Sequence, residues 1–200
     1  MDKYRSILIL FFHPLYHKSR VNRELIRVAE NVEGVEVRFM YDLYPDFFID
    51  RRAEQELLQD HELIIWQHPL YWYSSPSLLK EWIDVVLEHG FAYGRKGEAL
   101  AGKKIMNVLS IGGKREVYRP EGARKHELKE LLLPFSLTAD LCHMDYLPPF
   151  AVHGTHLMDR DDALSAAEDY RRLLLLLRDP NTRLDRLSDY DYMNDYLEKA

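Results

Sequence analysis

Short apolar runs alternate with segments of helical periodicity along most of the chain. Residues 6–12 form a continuous run of strand-forming residues, which is typical of a strand buried on both faces. Apolar residues then recur at helical spacing from Val21 to Val32, and Gly34 provides a stop for this first helix. The same signals predict strands at 35–40, 63–66 and 104–111, a proline-interrupted strand at 144–152, and helices at 78–86, 127–142 and 161–178.

This alternation favours an α/β fold in which a doubly wound, parallel sheet of five strands is covered by helices on both faces. In such sheets the ligand binds beyond the carboxyl ends of the strands, where the strand order reverses. The loops after the first, third and fourth strands are therefore the places to look for chemistry. We expect residues 1–180 to form one domain and residues 181–200 to be a C-terminal extension that packs on the surface or on a partner.

Composition narrows the class of protein. With 46% hydrophobic and 30% charged residues the chain is an ordinary globular protein. Its net charge of -6 argues against nucleic-acid binding, which depends on neutralising phosphates. The lone Cys142 excludes an internal disulfide and favours a reducing, cytoplasmic location. The apolar runs are too short to span a membrane.

The loop after the first strand leads directly into the first helix. Helix N-termini attract phosphate groups, and Ser19 and Asn22 are placed to cap the helix and to contact such a group. Lys18 and Arg20 add positive charge, but neither a dinucleotide-binding nor a Walker-type glycine pattern is present. The alternative is that Ser19 only caps the helix and that His13 only ends the strand.

The loop after the third strand carries three consecutive aromatic residues, Tyr71, Trp72 and Tyr73. Such rings are costly to leave in water, so we expect them to line a flat cavity suited to a planar heteroaromatic ligand. Pro69 and Pro76 stiffen the loop. The alternative for any single ring is that it covers the edge of the core.

The loop after the fourth strand contains Gly112 and Gly113, and paired glycines at a strand end allow close approach of backbone to a ligand. As an isolated pair they could equally form a simple turn. Tyr118 offers a hydroxyl group to the rim of such a site, although a surface tyrosine is the simpler interpretation.

The nine histidines raise the question of a metal site. His153 and His156, together with His143, form the cluster worth weighing. These residues lack the His-Glu-x-x-His spacing, a second thiolate and an acidic pair in register, so we expect no metal site.

Three blocks of sequence carry a resemblance to a known family. They are residues 44–50, which begin Tyr-Pro-Asp-Phe, residues 66–84, which begin Trp-Gln-His-Pro-Leu-Tyr-Trp-Tyr-Ser-Ser-Pro, and residues 89–94, His-Gly-Phe-Ala-Tyr-Gly. With the loops described above they resemble the NAD(P)H:quinone oxidoreductases related to DT-diaphorase, in particular the branch of ancillary proteins of glutathione-regulated potassium-efflux systems. The resemblance runs from the first strand to about residue 150 and implies a flavodoxin-like fold.

The resemblance implies FMN, or FAD, bound without a covalent link. NAD(P)H would deliver a hydride to the flavin and leave, and a quinone would then take two electrons in the same pocket, in a ping-pong cycle. The implied phosphate contacts are His13, Ser19, Arg20, Val21 and Asn22, and the implied ring contacts are Leu70, Tyr71, Trp72, Tyr73, Ser110, Ile111, Gly112 and Gly113.

The family's quinone reductases have a tyrosine followed shortly by a histidine, which correspond here to Tyr118 and His126 as candidate catalytic residues. The stretch between them is one residue longer than in the family. Ser110 and Ile111 also replace two threonines of the family, so that one hydroxyl group beside the flavin becomes an alkyl group.

The resemblance further implies a homodimer with each active site at the subunit boundary. An alternative function follows from the ancillary branch: a regulatory subunit of a glutathione-gated potassium/proton antiporter. Such a subunit would be cytoplasmic and peripheral at the inner face of the cell membrane through its transporter partner.

Overall fold

The apolar runs of the sequence form one sheet in the computed structural model, which describes residues 4–199. The strands are β1 (Ile7–Phe11), β2 (Val35–Phe39), β3 (Leu63–Pro69), β4 (Lys104–Ile111), β5 (Asp145–Tyr146) and β6 (Phe150–His153). Every paired strand runs parallel to its neighbour, in the order β2-β1-β3-β4-β5. This is the strand order of flavodoxin-like sheets, and it confirms the predicted doubly wound fold.

The sheet has six strands rather than the predicted five. Both β5 and β6 pair with β4, with Ile105 opposite Tyr146 and Val108 opposite Phe150. Pro148 and Pro149 lie between the two short strands. Because proline has no N–H group to donate to the ladder, the single strand predicted at 144–152 is divided in two.

Helices cover both faces of the sheet. They are α1 (Arg20–Ala29), α2 (Met40–Leu43), α3 (Arg51–Asp60), α4 (Ser77–Val86), α5 (Leu128–Leu131), α6 (Leu133–Leu141), α7 (Arg160–Arg178) and α8 (Met193–Leu197). Alternate residues of β1 face opposite cores: Ile7 and Ile9 pack with α1 and α7, whereas Leu8 and Leu10 pack with α3, α4 and α6. Within residues 4–199, no helix combines the length and the hydrophobicity that crossing a membrane requires.

Two helical segments differ from the sequence interpretation. The charged segment before β3 forms α3, whose first turn is capped by the Asp50 carboxylate accepting from the Ala53 N–H group. The helix predicted at 127–142 is interrupted at Leu132, and its second part begins at Leu133. Pro134 lies in the first turn of this second part, where proline is tolerated, whereas it is not tolerated in a helix interior.

The C-terminal tail packs against the body of the chain. It forms a 3-10 segment, Leu184–Asp189, followed by α8. Leu184, Leu187, Met193 and Leu197 are buried in the same core as α7.

Candidate functional site

A cavity of about 690 Å³ opens at the carboxyl ends of β1, β3, β4 and β6. It lies where ligands bind in doubly wound folds, and its volume is within the range of small-molecule sites. It is lined by His13, Leu15, His17, Lys18, Ser19, Arg20, Val21, Arg23, Pro69, Leu70, Tyr71, Ser110, Gly112, Thr155 and His156.

The β1–α1 loop gives one end of the cavity its positive charge. Ser19 caps α1 by accepting a hydrogen bond from the Asn22 N–H group, at 3.2 Å. Lys18, Arg20 and Arg23 line the cavity around this cap. Because helix N–H groups and cationic side chains converge here, this end favours an anionic group such as a phosphate.

Asn22 connects two of the elements that form the site, α1 and β4. Its Nδ2 donates to the hydroxyl groups of Ser19 and Ser110, each at 2.9 Å, although Ser110 lies 88 residues away along the chain. Asn22 itself is buried and is not part of the cavity lining. The residue predicted as a phosphate contact therefore links the start of α1 to the carboxyl end of β4.

His13 lines the cavity in its neutral form. Burial, together with the nearby charge of His17, lowers the pKa of His13 to about 4. Its Nδ1 accepts a hydrogen bond from the Leu15 N–H group at 3.1 Å. The proton of the neutral ring is therefore on Nε2, which makes this nitrogen a donor.

The β3–α4 loop contributes Leu70 and Tyr71 to the cavity, with the Tyr71 ring centroid 6.2 Å from that of His13. Trp72 and Tyr73 lie outside the lining. The backbone of Tyr71 pairs with that of Ser74, which places Trp72 and Tyr73 at the tip of a tight turn with left-handed φ angles of 51° and 63°. The Trp72 side chain is 92% exposed.

Such backbone angles are costly for aromatic residues, and they concentrate at functional sites. The turn leaves a large ring exposed. Leu70 anchors the loop, because its N–H group donates to the Ser110 carbonyl oxygen at 2.9 Å.

The two glycines of the β4 loop accommodate aromatic neighbours. A Cβ atom at Gly112 would overlap the His156 ring, and one at Gly113 would lie 3.1 Å from Cε2 of Tyr118. Gly112 lines the cavity, whereas Ile111 is buried in the core beneath it. The absence of side chains at both positions thus serves close ring packing at the edge of the site.

Tyr118 and His126 do not form a pair. Tyr118 is buried beside Gly113, and burial raises the pKa of its phenol group. His126 is exposed and lies 3.3 Å from the Glu130 carboxylate. The ring that packs on Tyr118 is that of His153, with centroids 5.9 Å apart, and burial lowers the pKa of His153 to about 4.

The loop after β6 supplies Thr155 and His156 to the cavity, and the sequence interpretation did not place them there. The signal was available in the topology, because the carboxyl end of this strand lies at the same edge of the sheet as the other three loops. His156, a candidate metal ligand in the sequence, instead lines this cavity. Among the residues that the structure describes, no group of three histidine, cysteine or acidic side chains is arranged to hold a metal ion.

The predicted site residues thus divide into two sets. One set lines the cavity: His13, Ser19, Arg20, Val21, Leu70, Tyr71, Ser110 and Gly112. The other set lies around or away from it: Asn22, Trp72, Tyr73, Ile111, Gly113, Tyr118 and His126.

Comparison with known proteins places this geometry in a family. The flavodoxin-like fold family Flavodoxin_2 matches residues 5–174. The glutathione-regulated potassium-efflux system ancillary protein KefG of Serratia proteamaculans is 46% identical over 153 residues, which are 76% of this chain and 84% of KefG.

Two crystal structures are also similar. General stress protein 14 of Treponema denticola, in complex with FMN, has a TM-score of 0.82 and 39% identity, covering 86% of this chain and 99% of that one. An NADPH-quinone reductase of P. pentosaceus has a TM-score of 0.76 and 32% identity, covering 84% and 96%. Since the family match spans most of the sequence and the sheet has the expected strand order, the chain belongs to the flavodoxin-like fold family.

Proposed function

We propose that the chain binds FMN in the cavity and acts as an NAD(P)H:quinone oxidoreductase. The proposal rests on one observation: the same cavity contains a cationic helix N-terminus and an apolar, aromatic surface. Similarity to an FMN complex and to an NADPH-quinone reductase supports this assignment.

The cationic end of the cavity suits the phosphate of FMN. Ser19 and the first N–H groups of α1 would hold the phosphate oxygens, and Lys18 and Arg20 would balance their charge. The Arg20 guanidinium also donates to the Met158 carbonyl oxygen, so the side chain is restrained before any ligand binds. These contacts fit FMN, and also the first phosphate of FAD.

The opposite end suits the ring system. Leu70 and Tyr71 would contact one part of it, and the backbone of Gly112 would face another. The chemistry that bound FMN supplies is two-electron transfer from NAD(P)H to a quinone. The chain orients the reactants, limits the access of water, and offers the neutral His13 as a hydrogen-bond donor.

We further propose a ping-pong cycle, in which NAD(P)H and the quinone would occupy the same part of the cavity in turn. Each substrate would have to leave before the other enters. Initial rates at several fixed quinone concentrations would then give parallel double-reciprocal plots against NADPH. Intersecting lines would contradict the cycle without contradicting FMN binding.

The decisive measurement is the absorbance spectrum of the purified protein, with the released cofactor identified by its mass. We expect FMN in the protein and quinone-dependent oxidation of NADPH. Binding of FMN, FAD and riboflavin is then compared in Arg20→Gln and in Arg27→Gln. Arg27 is an exposed residue of the same helix and serves as the control.

Arg20→Gln should weaken FMN binding about tenfold, the loss expected of one charge-assisted hydrogen bond, and should leave riboflavin binding unchanged. Arg27→Gln should change neither. A colourless protein that takes up no flavin and oxidises no NADPH would refute the proposal. Equal losses for FMN and riboflavin would contradict the placement of the phosphate.

A second function is favoured by the similarity to KefG. In this proposal the chain is an ancillary subunit at the cytoplasmic face of a potassium/proton antiporter, and flavin binding does not conflict with that role. Co-purification with the transporter and altered potassium efflux after deletion of the gene are the expected results. A fully active flavoenzyme whose deletion leaves efflux unchanged would refute it.

A further inference from the structure

The C-terminal tail binds the loop that follows β4 through an ion pair and a cation–π contact. The Arg115 guanidinium donates two parallel hydrogen bonds to the Asp195 carboxylate, both at 2.6 Å. The same guanidinium lies over the Tyr192 ring, 4.2 Å from its centroid. We call Arg115, Tyr192 and Asp195 the C-terminal clamp.

The ion pair of the clamp is less exposed and more strictly oriented than an ordinary surface ion pair. The two charged side chains are only 35% and 27% exposed, so solvent screens the pair less than an exposed one. Bidentate geometry with aromatic stacking fixes the orientation of the guanidinium as well as its position. The interaction with Asp195 also raises the pKa of Arg115, so its positive charge is secured.

A continuous series of ring contacts connects the clamp to Tyr118. The Tyr192 ring packs edge-on against His153, with centroids 5.9 Å apart. His153 in turn packs against Tyr118, also at 5.9 Å. Tyr118 fills the space beside Gly113, next to the cavity. Movement of the tail would therefore shift Tyr118 at the edge of the site.

The tail can act as a support because it is anchored to the sheet. The Met193 N–H group donates to the Pro149 carbonyl oxygen, and Oδ1 of Asn194 accepts from the Ala151 N–H group, each at 2.9 Å. Ala151 belongs to β6, which pairs with β4. The clamp therefore links a loop to a rigid element of the sheet.

We propose that the C-terminal clamp positions the loop at residues 112–118 for ligand binding, with Arg115 and Asp195 as positioning residues. The tail lies outside the segment that matches the family, residues 5–174. Control of the loop follows from the contacts alone, whereas its consequence for the ligand rests on the proposed binding of FMN.

The test compares hydrogen–deuterium exchange at residues 112–118 in the wild type, Asp195→Asn, Asp195→Glu and Asp185→Asn, using the full chain as purified. Asp185 forms a bidentate pair with Arg183 in the same tail, at 3.0 and 2.7 Å, but that pair is exposed and serves as the matched control. The dissociation constant of FMN is measured for each variant by the quenching of flavin fluorescence.

Asp195→Asn should speed exchange at 112–118 about tenfold, with exchange in β1 unchanged, and should weaken FMN binding at least about fivefold. Asp195→Glu should restore most of both properties because it keeps the carboxylate. Asp185→Asn should match the wild type.

Exchange in Asp195→Asn that rises no more than in Asp185→Asn would overturn the clamp. Faster exchange with unchanged FMN affinity would overturn its positioning role. If the wild type binds no FMN, the proposed function fails, but the exchange measurement still decides whether the tail controls the loop.

Discussion

Two buried acceptors of this protein differ in how well they are hydrogen-bonded. The Glu54 carboxylate, which lies between α3 and α4, accepts hydrogen bonds from Arg38, Tyr44 and Trp82. The buried Oδ1 of Asn22, beside the cavity, accepts none from any residue that the structure describes. Both oxygens of the Glu54 carboxylate are hydrogen-bonded, each bond measuring 2.9 Å, and we call Glu54 with its three donors the closed network. Nε of Arg38 is buried without a partner among the described residues. The surroundings of the cavity instead contain an unpaired acceptor and a turn with left-handed aromatic residues.

This contrast divides the sequence blocks that carry the family resemblance. Tyr44 and Trp82 belong to the closed network, and Tyr71 belongs to the cavity. Matching residues can therefore preserve a scaffold as well as a site. At Glu54 both buried carboxylate oxygens have partners, whereas beside the cavity a buried acceptor is unpaired and the backbone of the turn at Trp72 and Tyr73 is strained.

The largest effect should come from the closed network. Glu54→Ala leaves the Arg38 guanidinium, the Tyr44 hydroxyl and the Trp82 indole without their acceptor, so we expect a loss of about 3–5 kcal/mol in the free energy of unfolding. Urea unfolding measures this loss. Glu56→Ala, at an exposed position of the same helix, is the control. A difference between the two variants below about 1 kcal/mol would show that the network is not a structural centre.

Lowering the pH should decrease the free energy of unfolding through the buried His68. Its Nδ1 donates to the Pro69 carbonyl oxygen at 3.0 Å, and its Nε2 accepts from Asn107 at 2.9 Å, so both contacts suit the neutral ring. Burial lowers the pKa of His68 from 6.5 to about 4. The unfolded chain binds more protons between these values, so the stabilising contribution is complete above pH 6.5 and is lost as the pH falls toward 4.

We expect His68 to account for roughly 2 to 3 kcal/mol of the stability lost between about pH 7 and pH 4.5. Urea unfolding across this range measures the slope of the free energy of unfolding against pH. His68→Gln should flatten the slope, while His126→Gln, at an exposed position, should leave it as in the wild type. Equal slopes for the two variants would contradict this account of the core histidine.

The connection between the loops should have a smaller effect on stability and a selective effect on binding. Asn22→Ala removes both hydroxyl contacts, and we expect a loss of about 1–2 kcal/mol in the free energy of unfolding. Because Ser19 precedes α1 and Ser110 lies near the carboxyl end of β4, and both line the cavity, FMN affinity should fall about tenfold. Asn31→Ala, near the exposed end of α1, is the control. FMN affinity equal to that of the control would separate this residue from the site.

Much of the fold could be predicted because continuous apolar runs such as Ile7–Phe11 have few alternatives to a buried strand. Helix α3 was not predicted, because only a few of its residues are apolar and its start depends on the Asp50 cap. The β1 and β3 loops were located by their composition. Contacts such as Arg115 with Asp195, 80 residues apart, could not be predicted, since they depend on which surfaces the tail meets after folding.

The smallest effect on one chain should come from Trp72→Ala. The side chain is 92% exposed and lies outside the cavity lining, so we expect a change within about 0.5 kcal/mol in the free energy of unfolding. Tyr71→Ala, which removes a lining ring, should weaken FMN binding, whereas Trp72→Ala should not. A loss of FMN affinity in Trp72→Ala that appears only at concentrations where sedimentation shows a dimer would mean that Trp72 completes the cavity of a second copy. Such a result would support the predicted homodimer. The site would then be closed by a partner, so it would differ less from the closed network than it does in one chain.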